Sequence, residues 1–143
     1  MIRICISGIT GLLLLSIVVS AQSLKSSAVP QPVKDALLKD YPTARSVKWE
    51  REKENYEANW GGRSGEDNSV LFKPDGVFIE KVVAIPVSGL PKEVAAFVQK
   101  SYPGAKITEA GKVTDAKGRT KYEAEVRGKD LLFDENGAYL GKD

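Results

Sequence analysis

The sequence has 143 residues, a formal net charge of +2 and no histidine. A chain this close to neutral has no excess of positive charge with which to bind nucleic acid. The only cysteine is Cys5, so the chain beyond it has no disulfide, no thiolate nucleophile, no histidine base and no His/Cys metal site. We therefore expect a protein that is not an enzyme, with no cofactor and no nucleic-acid partner.

The N-terminal segment is typical of a secretory signal peptide. Arg3 supplies a positive start, a leucine-rich apolar run follows, and Val19-Ser20-Ala21 fits a signal-peptidase site. Cleavage there predicts a periplasmic or secreted mature chain of residues 22–143, with no membrane span. Gln22 stands where a lipoprotein needs cysteine, so no lipid anchor is expected. The alternative is a retained anchor over residues 4–21, at the lower length limit for a membrane span.

The second half of the chain repeats the first. At an offset of 61 residues, the matched positions are Pro30 and Pro91, Tyr41-Pro42 and Tyr102-Pro103, and Leu71-Phe72 and Leu132-Phe133. One triplet, Tyr56-Glu57-Ala58, matches Tyr122-Glu123-Ala124 only at an offset of 66. The first copy is thus five residues shorter before the triplet and five longer after it. We predict two repeats, about 29–85 and 90–143, that merge into one domain.

Each repeat opens with a pattern typical of an amphipathic helix. Val33, Ala36, Leu37 and Tyr41 lie at i, i+3, i+4 and i+8, and the same spacing recurs between Val94 and Tyr102. The proline after each tyrosine ends the helix, because the residue before proline is pushed out of the α region.

After each helix the apolar period changes to two, which predicts strands joined by short turns. The predicted strands lie near residues 47–50, 56–60, 70–72 and 77–85, then 107–113, 122–126 and 131–133. Short turns imply antiparallel pairing. The predicted fold class is α+β: a helix plus a four-strand antiparallel meander, duplicated and merged into one sheet. Both helices should lie on one face, and the other face should meet water.

One acidic segment superficially resembles a calcium-binding loop. An EF-hand loop needs glycine at position 6 and glutamate at position 12. In Asp134-Glu135-Asn136-Gly137 the glycine is at position 4, and residue 143 is at position 10. A hairpin turn explains the segment better, since Asn-Gly supplies the positive φ that such turns use. No metal site is predicted.

Carboxylates and basic residues alternate along the predicted strands. The carboxylates are Glu50, Glu52, Glu57, Glu123 and Glu125, and the basic residues among them are Lys48, Arg51, Lys121 and Arg127. Cross-strand ion pairs on a solvated face explain this pattern without catalysis. No catalytic residue is therefore assigned.

The strand aromatics have two interpretations. Trp49, Tyr56 and Trp60 are core if they face the helices, and a partner-binding patch if they face solvent. Their positions share the parity of apolar neighbours, which favours the core. As candidate partner-binding residues we name these three and Arg63, which lies in the glycine-rich loop that follows them.

Several segments together resemble a known family. They are Tyr41-Pro42, Val47-Lys48-Trp49-Glu50, Tyr56-Glu57-Ala58 and Leu71-Phe72-Lys73-Pro74-Asp75-Gly76, with counterparts that include Tyr102-Pro103-Gly104-Ala105 and Phe133-Asp134-Glu135-Asn136-Gly137. The mature chain resembles the PepSY-like, β-lactamase-inhibitor-like (BLIP-like) secreted proteins of Bacteroidetes-type bacteria. The resemblance implies an extended antiparallel sheet with packed helices and an envelope or extracellular location. It carries over no catalytic residues.

These observations favour a non-enzymatic secreted or periplasmic binding module. Its partner is expected to be another envelope or secreted protein, and inhibition or regulation of a secreted hydrolase or peptidase is one form of that function. The alternative is a small-ligand carrier or sensor that uses the sheet and the loop Gly61–Asn68.

Overall fold

The computed structural model describes residues 22–142. The predicted signal peptide lies outside these residues. No helix among those described is long and apolar enough to cross a membrane.

One antiparallel sheet holds nine strands in the order of the chain. The strands are β1 (Gln22–Leu24), β2 (Lys48–Glu52), β3 (Asn55–Trp60), β4 (Asn68–Phe72), β5 (Phe78–Ile85), β6 (Ile107–Asp115), β7 (Thr120–Val126), β8 (Lys129–Asp134) and β9 (Tyr139–Lys142). Helix α1 (Gln31–Asp40) follows β1, and helix α2 (Lys92–Ser101) follows β5, each after a single 3₁₀ turn. The predicted fold class is confirmed, and β1 is a strand that the sequence pattern did not predict.

Each helix buries the apolar stripe that its sequence predicts. In α1, Val33 and Leu37 pack on Trp49, Ala58 and Val70 of the sheet. In α2, Val94 and Val98 pack on a second cluster, made of Ala124, Val126, Leu131 and Phe133. Residues paired directly across successive strands share one face of the sheet. One such row connects the two clusters: Trp60, Asn68, Val83, Lys112, Tyr122 and Phe133. Both helices therefore lie on the same face, as predicted.

The two units share strand β5. Its first residues, Phe78–Lys81, are equivalent to β9, and its last residues, 83–85, are equivalent to β1, both at the offset of 61. Unit 1 is therefore described from β1 onwards, whereas unit 2 begins with the end of β5. Separation of the units would require breaking a strand that belongs to both.

The units differ by five residues before the matched triplet and by five in the opposite sense after it, and the structure locates both differences in connections between strands. In unit 2 the β6–β7 hairpin is longer, and its extra residues Thr114 and Asp115 pair with Lys81 and Glu80 of β5. In unit 1 the pairing between β1 and β2 is described from Gln22, which lies opposite Arg51, and the β2–β3 turn follows at residues 53–54. After the matched triplet, unit 1 has the loop 61–67 where unit 2 has a two-residue turn, 127–128.

The hairpin interpretation of the acidic segment is confirmed. Asp134 accepts hydrogen bonds at Oδ1 from the backbone N–H of Asn136 (2.9 Å) and Ala138 (2.8 Å), which closes the β8–β9 turn. Asp115 caps the β6–β7 turn in the same way through Lys117 and Arg119. Within residues 22–142, no three side chains of Asp, Glu, His or Cys are placed so that they could hold a metal ion together.

Candidate functional site: the open face of the sheet

The candidate site is the sheet face opposite the helices, which we call the open face. No helix among the described residues covers it. Strand alternation, read through the pairing register, places ten carboxylates and two lysines there. They are Glu50, Glu52, Glu57, Glu80, Glu109, Asp115, Glu123, Glu125, Asp130 and Asp134, with Lys48 and Lys121.

The helix-covered face has the opposite charge. Its strand positions hold no carboxylate within the described chain, and they hold Arg51, Lys81, Lys112, Lys129 and Lys142. The strands thus place every one of their carboxylates on the open face and five of their seven basic residues on the other. This separation gives a sheet with one acidic face, although the chain as a whole carries a net charge of only +2.

The expected interleaving of charges is wrong at two positions. Arg51 points to the helix side, where its guanidinium lies 5.3 Å from the Tyr56 ring centroid and donates to the Tyr56 hydroxyl. Arg127 lies in the β7–β8 turn and donates to the backbone carbonyl of Pro103. Successive strand residues point to opposite faces, so Arg51 cannot share a face with its neighbours Glu50 and Glu52.

Like charges face each other across the strands of the open face. Glu50 lies opposite Glu57, and Glu125 lies between Glu109 and Asp130. Such directly opposed like charges destabilise a sheet. Lys121 opposite Asp134 is an opposite-charge neighbour on this face.

Glu57 is the most perturbed group of the open face. The residue is 4% exposed, and its Oε1 accepts a hydrogen bond of 2.5 Å from the Ser69 hydroxyl. Burial is the main cause that raises the pKa of Glu57 to about 7, and the charges of Glu52 and Glu50 raise it further. The hydrogen bonds from Ser69 and Asn59 oppose this increase. Glu57 therefore changes its charge near neutral pH.

An apolar strip crosses the middle of the open face. Leu71, Val82 and Val113 are buried side chains at the centre of the sheet, and carboxylates lie on both sides of them. The face thus combines an apolar centre with an acidic border. Since Leu71, Val82 and Val113 are only 3%, 4% and 3% exposed, they offer a partner little apolar contact, and the groups that a partner can reach are the half-buried carboxylates of the border.

The structure places the sequence-predicted aromatic residues away from the open face. Trp49 and Tyr56 are core residues, 6% and 7% exposed, beneath α1. Trp60 is half-buried on the same side, with its ring centroid 5.3 Å from that of Tyr41. Arg63 is exposed in the loop 61–67. Trp49 and Tyr56 are therefore not available as a partner-binding patch, because α1 covers them.

A cavity of about 290 Å³ lies at one end of the open face. It is bounded by the loop 61–67, the end of β5 with the Pro86-Val87 segment, and the start of β6. Sequence reasoning did not find it, because it forms only where a loop of one unit meets the junction between the units.

The family model that matches the chain is that of the PepSY-like proteins, described as beta-lactamase-inhibitor-like. It matches twice, over residues 17–80 and 61–140, in agreement with the internal repeat. A search of the curated proteins gives no significant match.

Several solved structures from Bacteroides have a similar fold. A BLIP-like protein of Bacteroides fragilis is 28% identical, with a TM-score of 0.60, and the alignment covers 80% of this chain and 85% of that one. A DUF2874 family protein of Bacteroides uniformis is 24% identical, with a TM-score of 0.67 and coverage of 80% and 88%. A Bacteroides eggerthii protein, described as a candidate periplasmic protein, has a TM-score of 0.68 at 24% identity, with the same coverage. With a family model that spans most of its length, the chain belongs to the PepSY-like, beta-lactamase-inhibitor-like family.

Proposed function

We propose that this protein is a non-enzymatic, periplasmic or secreted binding module whose open face contacts a protein partner. The observation that carries the proposal is the charge separation of the sheet, with ten strand carboxylates on the face that no described helix covers, seven of them half-buried and three (Glu52, Glu57 and Glu123) buried. A fold alone would not require this, because the sign of charge on a solvated face does not alter the core beneath the other face. Opposed like charges cost stability, and a partner of complementary charge offsets that cost.

The partner class is a secreted hydrolase or peptidase, which the module inhibits or regulates. The family description and the BLIP-like relative of Bacteroides fragilis support this class. The signal-type N-terminus and the candidate periplasmic relative of Bacteroides eggerthii support the location. The absence of histidine in the sequence, and of cysteine beyond Cys5, supports a role without catalysis.

The experiment is site-specific photo-crosslinking in envelope extract of the producing cell. A photoreactive residue replaces Lys121, which is exposed on the open face, or Lys39, which is exposed on α1. We expect the Lys121 position, and not the Lys39 position, to capture a hydrolase or peptidase whose purified activity falls when the module is added. Equal adducts from both positions, or a captured enzyme whose rate is unchanged by the module, would refute the proposal.

The cavity gives specific support to the alternative function of a small-ligand carrier. Its volume of about 290 Å³ lies at the lower end of the range for small-molecule sites, about 300–1,000 Å³. That size suits one side chain better than an enclosed metabolite. We therefore favour the protein partner.

A further inference from the structure

We infer that the cavity at the end of the open face is an anchor site for one lysine or arginine side chain of the partner protein. This inference rests on the proposed binding function and specifies the chemistry that the partner must present.

The cavity is held in shape by hydrogen bonds of the loop 61–67. The Asp67 carbonyl accepts from the Ala84 N–H of β5 (2.9 Å), and the Asp67 N–H donates to the Gly61 carbonyl (3.3 Å). From the open face, Lys48 Nζ donates to the Ser64 carbonyl (2.8 Å). The loop is therefore tied to two strands before any ligand arrives, which lowers the entropy cost of binding.

The lining combines apolar walls with carboxylates. Ile85, Pro86 and Val87 supply apolar surface, and Glu66, Asp67 and Glu109 supply negative charge. Among the described residues that line the cavity, none is a lysine or arginine. This is the environment that a long cationic side chain needs, with an apolar surface for its methylene groups and carboxylates for its charged end.

The lining of the cavity includes residues of the open face. Ala84 and Glu109 line the cavity and also belong to the open face. A partner bound to the open face can therefore extend one side chain into the cavity while it stays in contact with that face. The excess of carboxylates along the face attracts a cationic partner towards this end of the sheet.

Only unit 1 can form such a cavity. Its β3–β4 connection is the loop 61–67, whereas the equivalent β7–β8 connection has only residues 127–128. The site is thus present once despite the duplication, and it fixes which end of the open face holds the anchor.

Small cations test the cavity directly. Butylammonium and propylguanidinium represent the ends of lysine and arginine, and N-butylacetamide and pentanoate are the neutral and anionic controls. Amide resonances of Asp67, Ala84 and Ala110 are followed by NMR during titration of each compound. We expect saturable shifts with one or both cations and none with the controls. Equal shifts with N-butylacetamide, or no saturable shift with either cation, would overturn the inference.

Charge-neutral variants locate the interaction. Glu66→Gln and Glu109→Gln keep the side-chain shape, and each should weaken cation binding about two- to fivefold, the range of a partly exposed ion pair. Glu93→Gln on α2 is the matched control and should leave binding unchanged. If all three variants bind the cations as the original chain does, the assignment is wrong.

The same variants separate this inference from the proposed function. Cation binding that depends on Glu66 and Glu109, without any partner captured at the open face, would refute the proposed function and retain the cavity assignment. A captured partner whose affinity is unchanged in both variants would refute the cavity assignment and retain the proposed function.

Discussion

Replacement of Glu57 by glutamine should remove a pH-dependent loss of stability. Glu57 is a buried residue of the open face, and burial raises its pKa from the usual 4.5 to about 7. That difference corresponds to about 3 kcal/mol of unfolding free energy, at about 1.36 kcal/mol for each pKa unit.

The direction follows from which state binds the proton. Well below pH 4.5 the carboxyl is protonated in both the folded and the unfolded chain, so its ionisation costs no stability there. As the pH rises towards 7, the unfolded chain ionises first, and the free energy of unfolding falls. Above pH 7 the folded state ionises as well, and the loss stays constant.

Glu57→Gln keeps an oxygen that can accept the Ser69 hydrogen bond but has no proton to lose. We expect the variant to gain about 3 kcal/mol relative to the original chain between pH 4 and pH 8.5. Urea unfolding at pH 4 and pH 8.5 gives the change in unfolding free energy with pH for each chain, and the change for the variant is compared with that for the original. Glu93→Gln on the exposed surface of α2 is the control. If Glu57→Gln loses as much stability with rising pH as the original chain does, burial of an ionisable Glu57 is refuted.

The remaining predictions concern the helix packing and one turn. Leu37→Ala should cost about 2–5 kcal/mol, and Val98→Ala less, because each leaves a cavity beneath a helix. Both should lower one common thermal transition, since β5 belongs to both units; two transitions, each sensitive to one variant, would contradict this. Gly76→Ala should destabilise more than Gly118→Ala in urea unfolding. Both glycines have positive φ (+85° and +77°), but a Cβ at Gly76 would lie 2.5 Å from the Pro32 carbonyl oxygen, whereas Gly118 has open space; equal losses would contradict this reasoning.

The fold could be predicted from the sequence because three patterns define it: the helical spacing of apolar residues, their alternation along the strands, and the internal repeat. The helical spacing of Val33 and Leu37, and of Val94 and Val98, predicted the stripes that the structure buries. The alternation after each helix predicted the strands and the face that carries the helices. Strand β1 could not be predicted in this way, because its three residues are too few to show a period.

The candidate site could be predicted from the sequence only in part. Its acidic character can be predicted from the alternation, since Glu50 and Glu52 share a parity opposite to that of Trp49, and the same alternation places Arg51 on the face of Trp49. The cavity depends on contact between the loop 61–67 and the segment after β5, and no local pattern reports such a contact. The burial of Glu57 also depends on its neighbours across two strands, which only the register defines.

The charge of the open face is independent of what holds the fold together. The core lies between the helices and the face that they cover, and alternation leaves the half-buried positions of the open face free to be acidic, basic or neutral, except Asp115 and Asp134, which cap turns. A lysine in place of the half-buried Glu50, opposite Glu57, would remove one pair of opposed carboxylates without touching either hydrophobic cluster. The chain has enough basic residues to do so, but the strands direct most of theirs to the helix side. An arrangement that costs stability and that packing does not require is best explained by recognition, so the open face is where a cationic partner should be sought.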